Sequence, residues 1–164
     1  MWGNCSSKNL IFRIQRRAVR IVGGLGYRQC CRSKFKDLKI LTFSSIFVLE
    51  SLVYVQGNKS SFNLQSETHD HDTRNKNLIR KDFVRLKKSQ MGPSFSAVSL
   101  YNNLPDYVRS ISTDKLKIFI KSVLLHEAIY FIGEYCSIDF AQYSKLILSS
   151  SIVLTLTWKK SICK

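Results

Sequence analysis

The sequence lacks an uninterrupted run of about 18 apolar residues, which is the length that a membrane-spanning helix needs. Its longest apolar stretch, residues 146–158, is interrupted by the triplet Ser149-Ser150-Ser151 and by two threonines. The first residues also contain no apolar segment of the kind found in signal peptides. These absences predict a chain that neither spans a membrane nor is secreted. An intracellular location, in the nucleus or the cytoplasm, is therefore expected.

Acidic residues are scarce. The chain has 11 Asp and Glu against 26 Lys and Arg, which gives a net charge of +15. The first 40 residues contain ten of the basic side chains and only one acid, Asp37. This imbalance favours partners that carry phosphate groups or anionic lipid. In other respects the composition is ordinary, because 164 residues with 45% hydrophobic side chains suffice for one folded domain.

Side-chain sets that would support a metal site or catalysis are also missing. The five cysteines include the adjacent pair Cys30-Cys31, and none of them are paired at the spacing of a zinc site. The run His69-Asp70-His71-Asp72 has no second pair of ligands, and His126 beside Glu127 is more typical of a helix surface than of a catalytic dyad. The sequence predicts no catalytic residue, no metal and no cofactor. The odd cysteine count favours a reducing compartment.

Residues Lys8–Val22 have the pattern of an amphipathic helix. Seven apolar residues share one broad face, and the opposite face carries a narrow stripe of four arginines at i, i+3, i+4 and i+7. The stripe consists of Arg13, Arg16, Arg17 and Arg20. The pair Gly23-Gly24 is expected to end the helix.

The rest of the chain predicts an all-α fold, a small irregular domain of four to five helices. Helices are expected near residues 33–38, from residue 46 to 56, between Pro93 and Pro105, and from Ser112-Thr113 to about Phe131. A strand is the alternative for residues 46–56, because they are rich in β-branched and aromatic side chains. Residues 58–72 predict a polar loop, and residues 78–88 either an extended segment or a short helix.

The last residues differ in composition from the helical part. Residues 147–158 are rich in Ile, Val, Leu and Thr, which favour strands, although the preceding chain offers no sheet. The prediction is a helical region over residues 1–136 and an unrelated hydrophobic, Ser/Thr-rich tail over residues 137–164, either β or disordered. The tail is expected to contribute little to stability.

The arginine stripe is the strongest indication of function. A solvated helix face normally mixes charges of both signs, whereas residues 8–36 contain no acid. A polyanion would offset the repulsion between like charges at i and i+4. The sequence therefore predicts contacts to an RNA or DNA backbone by the stripe, with Arg74 and Arg80 as further contacts. A basic amphipathic helix on an anionic membrane surface is a weaker alternative.

Six short segments also occur in an order and spacing that is similar to a known family. They are Trp2-Gly3-Asn4; Ile14-Gln15-Arg16-Arg17-Ala18-Val19-Arg20-Ile21; Phe35-Lys36-Asp37-Leu38-Lys39-Ile40-Leu41-Thr42 with Glu50; His69-x-x-x-Thr73-Arg74-Asn75; Leu100-Tyr101-Asn102-Asn103-Leu104-Pro105; and Lys117-Ile118-Phe119 with Tyr130. Their order and spacing are kept over about residues 1–135, roughly four fifths of the chain. They resemble the C-terminal region of reverse transcriptases from jockey-like non-LTR retrotransposons, which lies beyond the palm and comprises the thumb and the residues after it.

The resemblance implies a truncated remnant of an RNA-directed DNA polymerase. Fingers, endonuclease and the palm with its Tyr/Phe-x-Asp-Asp motif have no counterpart here, so no catalytic residue is transferred and this chain is not expected to be an enzyme. His71 also stands where a tyrosine is frequent. The expected partners are an RNA or DNA backbone, bound without sequence preference, and the missing reverse transcriptase domains. The alternative is an inert, marginally folded element fragment without a molecular function.

Overall fold

The computed structural model describes residues 7–67, 76–81, 83, 85–86 and 93–144, and within them the fold is all-α, as predicted. Three 3₁₀ turns and one isolated antiparallel bridge, between Leu64 and Ile79, accompany the helices of this part of the chain. The helices are α1 (Lys8–Val22), α2 (Arg32–Asp37), α3 (Phe43–Gly57), α4 (Pro93–Asn102), α5 (Asp106–Arg109), α6 (Thr113–Glu127) and α7 (Ile132–Cys136).

Helix α3 is the centre of the fold. Its apolar residues are not confined to one stripe, and a helix that is apolar on most sides must be covered on most sides. Helices α4 and α6 pack against it, and Val48, Leu52 and Val55 have no exposed surface. The side chain of Thr42 caps the helix by accepting a hydrogen bond from the Ser45 N–H (3.1 Å). The strand alternative for this segment is therefore wrong.

A second, smaller core joins α1 and α2 to the end of α6. It contains Val19 from α1, Phe35 from α2 and Ala128, which follows α6. The rings of Phe12 and Tyr130 cover it from one side, with their centroids 4.9 Å apart in an edge-to-face arrangement. This cluster holds the basic N-terminal segment on the main body.

Most predicted helices are confirmed, with small changes at their ends. Helix α1 has the predicted bounds, α2 begins one residue earlier, and α4 lies between the two prolines. Helix α6 ends at Glu127 and not near Phe131, because Ala128 adopts a left-handed conformation with φ of 49°. The described residues form seven helices, whereas four to five were predicted. The two additional ones, α5 and α7, are too short to produce a periodic pattern.

The predicted polar loop contains two 3₁₀ turns, Lys59–Ser61 and Gln65–Glu67, in its described part. The described residues 78–81 are extended, and the buried Ile79 pairs there with Leu64. The His69-Asp70-His71-Asp72 run and Arg74 lie outside the described residues, as do residues 1–6 and 145–164. The predicted character of the final 20 residues therefore stays a prediction.

The packed body does not end at residue 136. Residues Phe140–Tyr143 form a 3₁₀ turn, and Phe140 and Tyr143 are buried in the main core. The Phe140 ring lies edge-to-face against Tyr135, with the centroids 5.9 Å apart. The boundary expected after Cys136 is thus too early for the packing, and residues 137–144 belong to the helical body.

Candidate nucleic-acid interface

The orientation of α1 depends on a polar side chain, Gln15. Its Nε2 donates to the Leu41 carbonyl (2.8 Å) and its Oε1 accepts from the Phe43 N–H (2.8 Å). Phe43 is the first residue of α3, where backbone N–H groups have no partner within the helix. Gln15 therefore turns the side of α1 with Phe12, Gln15 and Val19 towards the body.

This orientation leaves most of the predicted apolar face in solvent. Leu10, Ile14 and Ile21 are 55%, 60% and 73% exposed, and Ile11, Ala18 and Val22 beside them are also exposed. We call these six residues the apolar ridge. Sequence periodicity grouped them correctly but did not indicate that this face would point away from the core.

The four arginines of the stripe have different environments. Arg13 and Arg17 are exposed, and both extend from the surface of α1. Arg16 is half-buried, with its guanidinium 5.1 Å from the centre of the Phe12 ring and its buried Nε without a hydrogen-bond partner. Arg20 is half-buried and donates from Nε to the Gln29 carbonyl (2.9 Å). The stripe therefore combines two free charges with two that also pack against the protein.

Further basic residues gather at the end of α1. The Arg20–Gln29 bond brings the 24–31 turn, which includes the exposed Arg28, back onto the helix. The side chain of Lys34 passes so close to Gly23 that a Cβ there would meet Lys34 Cγ at 3.1 Å. The 24–31 turn and α2 thus bring further basic side chains next to the end of α1, where they extend the stripe.

Only two of the ten basic side chains in residues 8–39 form ion pairs within the described part of the chain. Arg32 binds Glu134 at 2.9 Å, and Lys34 lies 3.5 Å from Asp37. The other basic residues there, including Arg13, Arg17 and Arg28, have no acidic partner among the residues described. The charge excess seen in the sequence is therefore also a local excess on this surface.

Of the two remaining predicted contacts, the structure describes only Arg80. Arg80 is exposed and lies on the extended segment, where its backbone N–H donates to the Asn63 carbonyl (2.9 Å). Arg74 lies outside the described residues. The candidate interface is consequently built on α1, the following turn and α2.

An aromatic cleft beside the stripe has no counterpart in the sequence analysis. It opens where the start of α1, the start of α3 and the turn between α6 and α7 meet. Tyr130 lines this cleft. The Tyr130 hydroxyl lies 3.4 Å from Cys31 Sγ, and the Arg32 guanidinium lies 4.4 Å from the centre of the Tyr130 ring. Burial and the hydrogen bond with Cys31 raise the pKa of the Tyr130 phenol, so this ring is neutral at physiological pH.

No group of three or more His, Cys, Asp or Glu side chains within the described residues has the geometry of a metal site. His126 and Glu127 both contact the hydroxyl of Tyr143, with His126 Nδ1 at 2.7 Å. Ser122, four residues before His126 on the same helix, donates to the Phe119 carbonyl (2.7 Å). His126 and Glu127 therefore hold the 140–143 turn against α6.

Comparisons with protein-family models, with curated proteins and with solved structures find no match to this chain. None of the helices described here is long and apolar enough to cross a membrane. The proposal of a function therefore depends on the basic surface and the aromatic cleft described above.

Proposed function

We propose that this protein binds the backbone of RNA or DNA through the basic surface of α1, the 24–31 turn and α2, without sequence preference. The observation that carries the proposal is the uncompensated charge of Arg13, Arg17 and Arg28. Like charges held close together on a folded surface repel each other, and a polyanion relieves that repulsion. Phosphate neutralisation also releases counterions, which makes such binding strong at low salt and independent of the base sequence.

The resemblance to non-LTR retrotransposon reverse transcriptases supports the same proposal. We infer that the chain is a remnant of such an RNA-directed DNA polymerase, that it has no catalytic role, and that it acts inside the cell. The missing domains of the parent enzyme would then be its natural packing partners. The rival is an inert fragment, for which the basic surface would be only a solvated face.

Replacing Arg13, Arg17 and Arg28 with Gln is expected to weaken binding to single-stranded RNA and to duplex DNA alike. If each arginine neutralises one phosphate, the slope of log affinity against log salt falls by about 2 for single strands and by about 2.7 for duplex. Fluorescence anisotropy over a salt series measures both quantities. Gln preserves helix propensity, and Arg13 and Arg17 are exposed, so the fold should remain intact.

The matched control is a variant with Lys115, Lys117 and Lys121 replaced by Gln. These lysines lie on the exposed side of α6, and their loss changes the net charge by the same amount. The control should retain a nearly normal slope, because only the α1 surface is proposed to contact phosphates. If both variants have the same slope of log affinity against log salt, or if the unmodified chain does not bind, the proposal is wrong and the inert-fragment alternative holds.

The apolar ridge favours a second candidate, binding to an anionic membrane surface. An interfacial helix needs exposed apolar side chains next to basic ones, and Leu10, Ile14 and Ile21 are exposed on the helix that carries Arg13 and Arg17. Nucleic-acid binding accounts for the arginines but not for the ridge. A lipid surface accounts for both.

Under this candidate, replacing Ile14 and Ile21 with Gln weakens binding to phosphatidylserine-containing vesicles by at least about tenfold, because two large apolar side chains no longer enter the lipid. Co-sedimentation with vesicles measures the effect, and phosphatidylcholine vesicles are the uncharged control. RNA binding should not change in this variant, because its charge is unaltered. Vesicle binding that is absent, or insensitive to both substitutions, rules the candidate out.

A further inference from the structure

The aromatic cleft beside α1 has the features of a binding site for one flat, apolar ring. Its volume is about 260 Å³, small for a drug-sized ligand but sufficient for a single ring system. Its lining includes Lys8 and Phe12 of α1, Phe43 of α3, Tyr130 and Phe131 of the turn before α7, and Gly133 of α7. Five of the ten lining residues are aromatic, and Lys8 is the charged one.

Among the aromatic residues that line the cleft, Phe131 is the most exposed. It is 67% exposed at the edge of the cleft, although it follows the buried residue Ile129 by only two positions. Tyr130 and Phe12 pack edge-to-face deeper in the cleft, so their positions are fixed by the small core beneath. An exposed phenylalanine next to these two fixed rings offers a ring face on which a planar group can stack.

The cleft lies next to one arginine of the stripe, because Phe12, which lines the cleft, also contacts Arg16. Phe12 and Arg16 are four residues apart on α1, about 6 Å along its axis, and the Arg16 guanidinium lies 5.1 Å from the centre of the Phe12 ring. Arg13 follows Phe12 directly on the exposed side of the helix. A ligand with a ring in the cleft would therefore place its neighbouring groups beside cations.

We propose that the cleft receives one unpaired base of a single-stranded nucleic acid while the adjoining phosphates contact Lys8, Arg13 and Arg16; this inference rests on the proposed function. Single-strand binding proteins combine such a basic track with aromatic side chains on which bases stack. Every base has a ring face, so the contact requires no particular sequence. A base that is paired and stacked within a duplex cannot enter the cleft, and the site therefore favours single strands.

The test is Phe131→Ala in the full-length chain, with fluorescein-labelled single-stranded RNA and a duplex of the same length as probes. Stacking of one base contributes about 5- to 150-fold to affinity, so single-strand affinity should fall at least about fivefold. Duplex affinity and the salt slope should not change, because no charge is removed. Phe131→Trp should restore single-strand binding, since its larger ring also stacks.

The control is Tyr107→Ala, which removes an exposed aromatic ring that does not line the cleft and should leave both affinities unchanged. Circular dichroism checks that each variant is folded. The inference is overturned if Phe131→Ala binds single strands normally, or loses single-strand and duplex binding equally. The proposed function fails separately, if the unmodified chain binds neither probe or binds without dependence on Arg13, Arg17 and Arg28.

Discussion

Truncation of the chain after Cys136 is expected to abolish cooperative unfolding of the helical body. The truncation removes Phe140 and Tyr143, which are 5% and 7% exposed in the main core. Loss of one large aromatic side chain from a core costs about 3–5 kcal/mol. A domain of this size has a total stability of only about 5–15 kcal/mol, so the loss of both rings removes a large part of it.

The measurement is urea unfolding, followed by circular dichroism, of chains ending at Ser144 and at Cys136. Comparing these two chains isolates residues 137–144, because both lack residues 145–164. The chain ending at Ser144 should unfold in one cooperative transition, and the one ending at Cys136 should not. Equal midpoints would show that the contacts of Phe140 and Tyr143 are dispensable, in agreement with the discordant composition of this segment.

Local sequence patterns predicted the long helices well, for identifiable reasons. In α1 the period of 3.6 residues extends over the whole segment and two glycines follow it, so both ends could be located. In α4 one proline begins the helix and another follows it closely. These signals lie within about 15 consecutive residues, which is the range over which a sequence can be interpreted directly.

Periodicity could not predict which side of α1 faces the body. It assigned the apolar residues to one face, whereas the side that faces the body is the one on which Gln15 bonds to the backbone of Leu41 and Phe43, beside Phe12 and Val19. The aromatic cleft was unpredictable for a related reason. Phe12, Phe43 and Phe131 are distant in sequence, and the turn that presents Phe131 begins at Ala128, where no glycine signals the left-handed conformation.

A Thr42→Val variant is expected to lose about 3 kcal/mol of unfolding free energy, although the two side chains have nearly the same shape. Thr42 is fully buried, and its hydroxyl makes three hydrogen bonds. It donates to the Ile129 carbonyl and accepts from the N–H and the hydroxyl of Ser45. Valine removes the cap of α3, worth about 1 kcal/mol, and leaves a buried carbonyl unpaired at a cost of about 1–3 kcal/mol.

The matched control is Thr42→Ser, which keeps the hydroxyl and loses one methyl group, so it should cost only about 1 kcal/mol. The two variants together separate hydrogen bonding from packing in urea unfolding experiments. The Ile129 carbonyl belongs to the segment that lines the aromatic cleft. The next carbonyl of this segment, that of Tyr130, accepts a hydrogen bond from the Ser44 hydroxyl (2.7 Å). If Thr42→Val is as stable as Thr42→Ser, the hydroxyl does not hold the start of α3 to this segment, and the position of Tyr130 must depend on its own hydrogen bonds with Ser44 and Glu134 and on its aromatic contacts.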